Sequence, residues 1–156
     1  MENTEKKEAT LAAQALLATA MTGALGTINK DASPLVTLVA LATMANGTPL
    51  LLLSNIAAHT QNILREPRVS LLIDGDPTDT DPMTAPRLSV SGRVARLSSA
   101  DIGRAKPLFI QKHPGSDPYD REVDFNYYKL EIEGARFNQG FGRFRKLGRD
   151  DLLNTI

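Results

Sequence analysis

Residues 50–74, LLLLSNIAAHTQNILREPRVSLLID, decide the fold. Leu50 to Leu53 form a short, unbroken apolar run that stops at Ser54 and Asn55, as a buried strand does. A side-chain oxygen of Ser54 or Asn55 can cap a helix there, and Ile56, Ile63 and Leu64 recur at helical spacing. Pro67 ends that helix, because the residue before a proline is pushed out of the α region. Val69 to Ile73 then reads as a second strand. The predicted unit is strand, short helix, strand, with polar groups gathered where the helix starts.

That junction suggests a chemistry. Free backbone N–H groups and the positive end of the dipole make a helix N-terminus an anion site. His59, Thr60 and Asn62 lie in the first turns and add side-chain donors, so a phosphate fits there, with a protonated His59 neutralising its charge. The plainer alternative is that Ser54 and Asn55 only cap, while His59, Thr60 and Asn62 face solvent.

Outward from this unit, residues 8–22 read as a helix with Leu11, Leu16, Leu17 and Met21 as its apolar stripe, ended by Gly23. Strands are expected at Leu25–Asn29 and Leu35–Thr43, and Asn46-Gly47 is a hairpin turn leading into Leu50. Residues 74–86 form a long polar connection, and Leu88 to Leu97 is a further strand. Ser98 or Ser99 caps a helix over Ala100–Lys112, which His113-Pro114 breaks. Phe125–Ile132 is a long strand that Ala135–Asn138 extends, and Asp150–Thr155 ends the chain as a short helix. Five or six mostly antiparallel strands with helices filling the gaps suggest a small barrel.

Composition excludes several function classes. The 156 residues suit one domain, 1–156, with an N-terminal helix within residues 1–20. Eighteen basic residues balance eighteen acidic ones, which argues against nucleic acid and anionic membranes as partners. The absence of cysteine removes disulfides, thiolate catalysis and Cys-based metal sites. Asp74, Asp76, Asp79 and Asp81 alternate as in a calcium loop, but no closing glutamate follows and Pro77 and Pro82 interrupt them. His59 and His113 are the only histidines, neither with an acidic partner at ligand spacing, so no metal site is expected. No apolar run approaches the roughly 18 residues of a membrane span, and a secretory h-region is lacking. The expected location is the cytoplasm.

The residues resemble a family. Ser54, His59-Thr60, Asn62 and Pro67-Arg68-Val69-Ser70-Leu71 are similar to the core of the FMN-binding split barrels of the pyridoxamine 5′-phosphate oxidase-like superfamily. The HugZ-type haem-utilisation branch is the nearer likeness. It shares Asp81-Pro82, Pro86-Arg87-Leu88, His113-Pro114, Tyr119, Asp124-Phe125 and the terminal run Gly140 to Arg143. The resemblance covers about residues 20–150.

This resemblance implies a mainly β (α+β) chain: a six-stranded antiparallel Greek-key split β-barrel with flanking helices. It further implies a homodimer holding FMN at the subunit interface. Thr37, Val39, Leu53 and Ser54 would meet the flavin from the strands, and His59, Thr60 and Asn62 would hold its phosphate and ribityl chain. Arg87 would supply a fixed charge, and Arg143 would close the site from the partner subunit. The implied activity is a flavin-centred oxidoreductase acting on a small molecule, in which the protein positions the cofactor. His59-Thr60 stand where pyridoxamine-phosphate oxidases carry Arg-Lys, so that particular oxidation is not expected. The alternative is a non-catalytic protein that binds FMN or haem.

Overall fold

In the computed structural model, which describes residues 2–120, 124–140 and 142–154, eight strands join one antiparallel sheet. They are β1 (Thr22–Ile28), β2 (Pro34–Ala40), β3 (Ala42–Thr43), β4 (Pro49–Ser54), β5 (Arg68–Asp74), β6 (Arg87–Arg96), β7 (Phe125–Asn138) and β8 (Phe144–Gly148). Their spatial order is β2-β1-β5-β6-β7-β4-β3, with β8 added beside β7. Five helices accompany them: α1 (Glu2–Thr19), α2 (Ala58–Arg65), α3 (Ser99–Lys112), α4 (Asp117–Asp120) and α5 (Arg149–Leu152). The strand–helix–strand unit predicted around residues 50–74 is β4-α2-β5.

Six strands were expected, and the two extra ones have different origins. The run Leu35–Thr43 breaks at Leu41, whose side chain is buried in the main core and whose N–H donates to the Met21 carbonyl at 2.9 Å. The chain thereby leaves its pairing with β1 and joins β4 as β3. Strand β8 buries only Leu147, so its charged stretch gives little periodic signal.

The break at Leu41 creates the feature that matters for function. β2 and β3 lie at opposite ends of the sheet, yet a single residue joins them. The sheet must therefore curl until its two ends nearly meet. Among the described residues no ladder links β2 to β4, so the barrel stays split along that seam. The opposite wall is closed: β6 pairs with β7 from Arg87↔Asn138 to Arg96↔Tyr128. That ladder shifts register between Ser91 and Gly92, where a Cβ would fall on the Glu131 carbonyl oxygen. Only glycine fits so close a backbone approach.

The main core fills the curl and is closed by α1 through Ala9, Ala13 and Leu17, spaced four apart on one face. Of the predicted stripe only Leu17 is buried. Leu11 and Met21 stand about half exposed, because the small alanines let the helix lie closest to the sheet on their side. A second cluster, including Leu50, Leu97, Phe109 and Tyr127, packs α3 against the outside of β3, β4 and β7. Other local expectations hold. Ser98 Oγ accepts from the Asp101 N–H at 3.2 Å to start α3, and Gly47 takes φ +97° in the β3–β4 turn. The last helix is shorter than expected, ending at Leu152; Thr155, like Phe141, lies outside the described residues.

Candidate functional site

The seam between β2 and β4 opens into two chambers that share Ala40, Leu52 and Phe125 as walls. A histidine stands at each end.

The smaller chamber, about 190 Å³, lies where β4 runs into α2 and is lined by Val39, Leu53, Ser54, Ala57 and His59 among others. Asn55 does not cap α2. Its N–H donates to the Asp124 carbonyl at 2.5 Å and its Oδ1 accepts from Asn126 Nδ2 at 2.7 Å, which ties the turn to β7. Ser54 does not cap it either. Its Oγ accepts from the Ile56 N–H at 3.4 Å, and the N-cap position falls on Ala57, which has no side-chain acceptor. The first-turn amides of α2 therefore lack both intrahelical and side-chain partners from the cap. Ile56 and Leu64 stay exposed, and only Ile63 of the predicted stripe is buried.

His59 Nδ1 and Thr37 Oγ1 lie 2.9 Å apart, a hydrogen bond that spans from α2 to β2. Burial pushes the His59 imidazole below its ordinary value of 6.5, favouring the neutral ring. A bound phosphate would act against that shift, because a neighbouring anion favours the charged ring. Thr60 and Asn62, which the plainer sequence reading left in solvent, are buried. Thr60 Oγ1 has no hydrogen-bond partner among the described residues. Asn62 staples α2 to β1: its Nδ2 donates to Thr27 Oγ1 at 3.0 Å and Asn29 Oδ1 at 2.9 Å, while its Oδ1 accepts from Arg65 at 3.2 Å.

Val39, Leu53, Ser54 and His59 thus converge on one chamber, with Thr37 bonded to His59. The two arginines do not join them within one chain. Arg87 donates to the Met83 and Ala85 carbonyls at 2.9 and 3.1 Å and lines a cavity on the outer face with Leu38 and Leu72. Arg143 sits in the β7–β8 turn, bordering a polar cavity with Glu5 and Gln139.

The larger chamber, about 720 Å³, was not legible in the sequence. Its walls include Met21, Leu52, Phe109 and Phe125, and Lys112 and His113 close it at the end of α3. His113 Nε2 lies 2.6 Å from the Leu41 carbonyl, which can only accept, so the ring proton sits on Nε2. Nδ1 makes no hydrogen bond among the described residues. The ring packs on Phe109 with centroids 5.0 Å apart. His113 therefore satisfies the carbonyl exposed where the chain crosses the seam. Burial lowers the Lys112 pKa, and its Nζ donates to the Ala18 carbonyl at 2.7 Å. The spacing of Phe109 and His113, four apart on one helix face, was the available signal.

Outside the split, Leu38, Ala24 and Leu72 sit side by side across β2, β1 and β5, with Leu38 74% and Leu72 44% exposed. The acidic loop uses its carboxylates locally: Asp79 accepts from the Asp81 N–H at 2.6 Å and Asp81 from the Met83 N–H at 2.9 Å. Among the described residues no cluster of three His, Asp or Glu could hold a metal ion, and no helix is long and apolar enough to cross a membrane.

Residues 4–153 match the family described as "CREG, beta-barrel". The non-canonical heme oxygenase HOZ, chloroplastic, of Arabidopsis thaliana is 31% identical over 120 residues, 76% of this chain but 36% of that protein. The chain thus spans about a third of that relative's length. One solved structure, 36% identical, matches with a TM-score of 0.86 over 95% of this chain and 97% of its own. The heme binding protein from Mycobacterium smegmatis, 23% identical, shares the fold with a TM-score of 0.87, covering 92% of this chain and 59% of that one.

Proposed function

The chain belongs to the CREG β-barrel family, and from that premise we propose that it is a haem-binding protein of haem utilisation, holding haem in the larger chamber of the split. The observation that carries this reading is the chamber itself. At about 720 Å³ it lies in the range of small-molecule sites, and its walls are mostly apolar with a few placed polar groups. An imidazole with an unoccupied ring nitrogen closes one end. The names of two similar proteins, a heme oxygenase and a heme binding protein, support the choice of ligand.

The residues fit the group. His113 would face the iron through Nδ1, Leu52 and Phe125 would cover the macrocycle, and Lys112 lies within the same wall. Bound haem supplies an iron centre able to bind and activate dioxygen. The chain orients and shields it. The Leu41 carbonyl sets the His113 tautomer, Phe109 packs on its ring, and the apolar walls would cover the bound macrocycle. Titration of the purified chain with haemin, followed by absorption, is expected to give a saturable haem band at one haem per chain. A spectrum equal to that of free haemin at every ratio would overturn the reading.

A second reading, an FMN-dependent oxidoreductase of the pyridoxamine 5′-phosphate oxidase-like superfamily, is favoured by the smaller chamber. Its support is the α2 N-terminus without a side-chain cap, beside Ser54 and His59, with the orphaned Thr60 hydroxyl behind it. FMN would place its phosphate there, along Thr37, Val39 and Leu53, and would carry the electron pair. Arg87 and Arg143 would join this site in a homodimer built on the exposed Leu38–Ala24–Leu72 face. Flavin fluorescence quenched on titration would support this arm, and light scattering of Leu72→Glu, expected to be a monomer, tests the dimer.

A further inference from the structure

Among the described residues, the larger chamber has one formal charge in its wall. Met21, Ala40, Leu52, Phe109 and Phe125 are apolar, Pro114, Gly115 and Ser116 are neutral, and Lys112 is the cation among them. Two other lysines have carboxylate partners: Lys6 lies 3.8 Å from Asp151 and Lys129 lies 3.6 Å from Glu131. Lys112 has no carboxylate partner among the described residues, and its single hydrogen bond there goes to the Ala18 carbonyl at 2.7 Å. An ammonium has three N–H donors, so two remain. The ammonium is only partly buried, and a ligand anion laid against the apolar walls beside it would take charge-assisted hydrogen bonds from those donors.

We infer that Lys112 is the anion-recognising residue of the split and that the chamber selects amphipathic organic anions: a flat apolar body lies against Leu52 and Phe125, which share one face of β4 and β7, and its carboxylate meets Lys112 Nζ. This deepens the haem reading, since haem carries two propionates on an apolar ring. It also stands apart from it, because any flat aromatic carboxylate or sulfonate has the same chemistry. The alternative role of Lys112 is structural, holding the Ala18 carbonyl near the end of α1 from the end of α3.

The test uses the full chain and two kinds of ligand. Haemin is titrated by absorption. Anilinonaphthalene sulfonate and its uncharged relative, phenylnaphthylamine, are titrated by fluorescence. Lys112→Met keeps the apolar stem and removes the charge, and Lys112→Arg restores a charge. Lys112→Met is expected to weaken haemin and the sulfonate about tenfold, as loss of a charged hydrogen bond does. Binding of phenylnaphthylamine should be unchanged, and Lys112→Arg should recover most of the affinity. A Lys112→Met chain that melts earlier yet binds both anions as the wild type does would overturn the inference and leave the haem reading intact. Lys112-dependent sulfonate binding with no haemin binding would uphold the inference and remove haem. Failure of the wild type to bind any of the three would overturn both.

Discussion

The two long walls of the barrel are built on opposite principles. On the closed wall, β6 and β7 pair over ten residues of β6, and one glycine lets the backbones cross at the register shift. On the open wall, β2 and β4 approach without a ladder, and the polar atoms left along the seam are satisfied by side chains from helices: His113 on the Leu41 carbonyl, and His59 on Thr37. The closed wall carries folding free energy. The open wall carries imidazoles, a cation and cavity space. Substitutions on the first should lower stability, and those on the second should alter ligand binding first.

The largest expected effect lies on the closed wall. Gly92→Ala drives a methyl into the Glu131 carbonyl and the Leu130 side chain, and should cost about 3 kcal/mol of stability. Urea unfolding measures it, and a loss below about 0.5 kcal/mol would mean that the ladder relaxes freely there. On the open wall, His113→Gln keeps an N–H donor for the Leu41 carbonyl but removes the ring nitrogen. Haemin affinity should fall at least about tenfold while the urea midpoint barely moves. Equal losses in both would make His113 a purely structural residue.

Smaller effects sharpen the contrast between the two ends of the seam. The unfolded chain protonates His59 near its ordinary value of 6.5, whereas the folded chain does so only at lower pH. His59 therefore contributes its full stability above pH 6.5, and that contribution declines as pH falls below it toward the folded pKa. Urea midpoints at about pH 7.5 and about pH 5.5 should differ more in the wild type than in His59→Gln. Equal differences would show that burial does not disfavour the charged ring. The smallest expected change is at Thr60, whose hydroxyl is buried without a partner among the described residues. Thr60→Val should be neutral or raise stability by up to about 1 kcal/mol. A clear loss of stability, read in the same urea unfolding, would reveal a bond that this hydroxyl makes in solution.

Much of the closed wall was legible in the sequence, because alternation in Leu88–Leu97 and Phe125–Asn138 follows from one buried face. The strand–helix–strand unit at residues 50–74 was equally clear. The open wall was harder for physical reasons. Leu35–Thr43 is apolar apart from Thr37 and Thr43, so nothing local marks Leu41 as the residue where the chain changes partners. The cap on α2 was misread since Ser54 and Asn55 are good capping residues that tertiary contacts with β7 and the turn recruit elsewhere. His59 and its neighbours were located by their place at a helix start. His113 and Lys112 were not, because their partners, Leu41 and Ala18, are 72 and 94 residues away in sequence.

The assignment of haem to the His113 end rests most directly on one comparison: haemin titrations of the wild type, His113→Gln and His59→Gln, read by absorption side by side. The expected result is an altered band and at least about tenfold weaker binding in His113→Gln, with His59→Gln within about twofold of the wild type. Weakened binding in His59→Gln with His113→Gln unaffected would contradict the assignment and move the ligand to the other end of the seam.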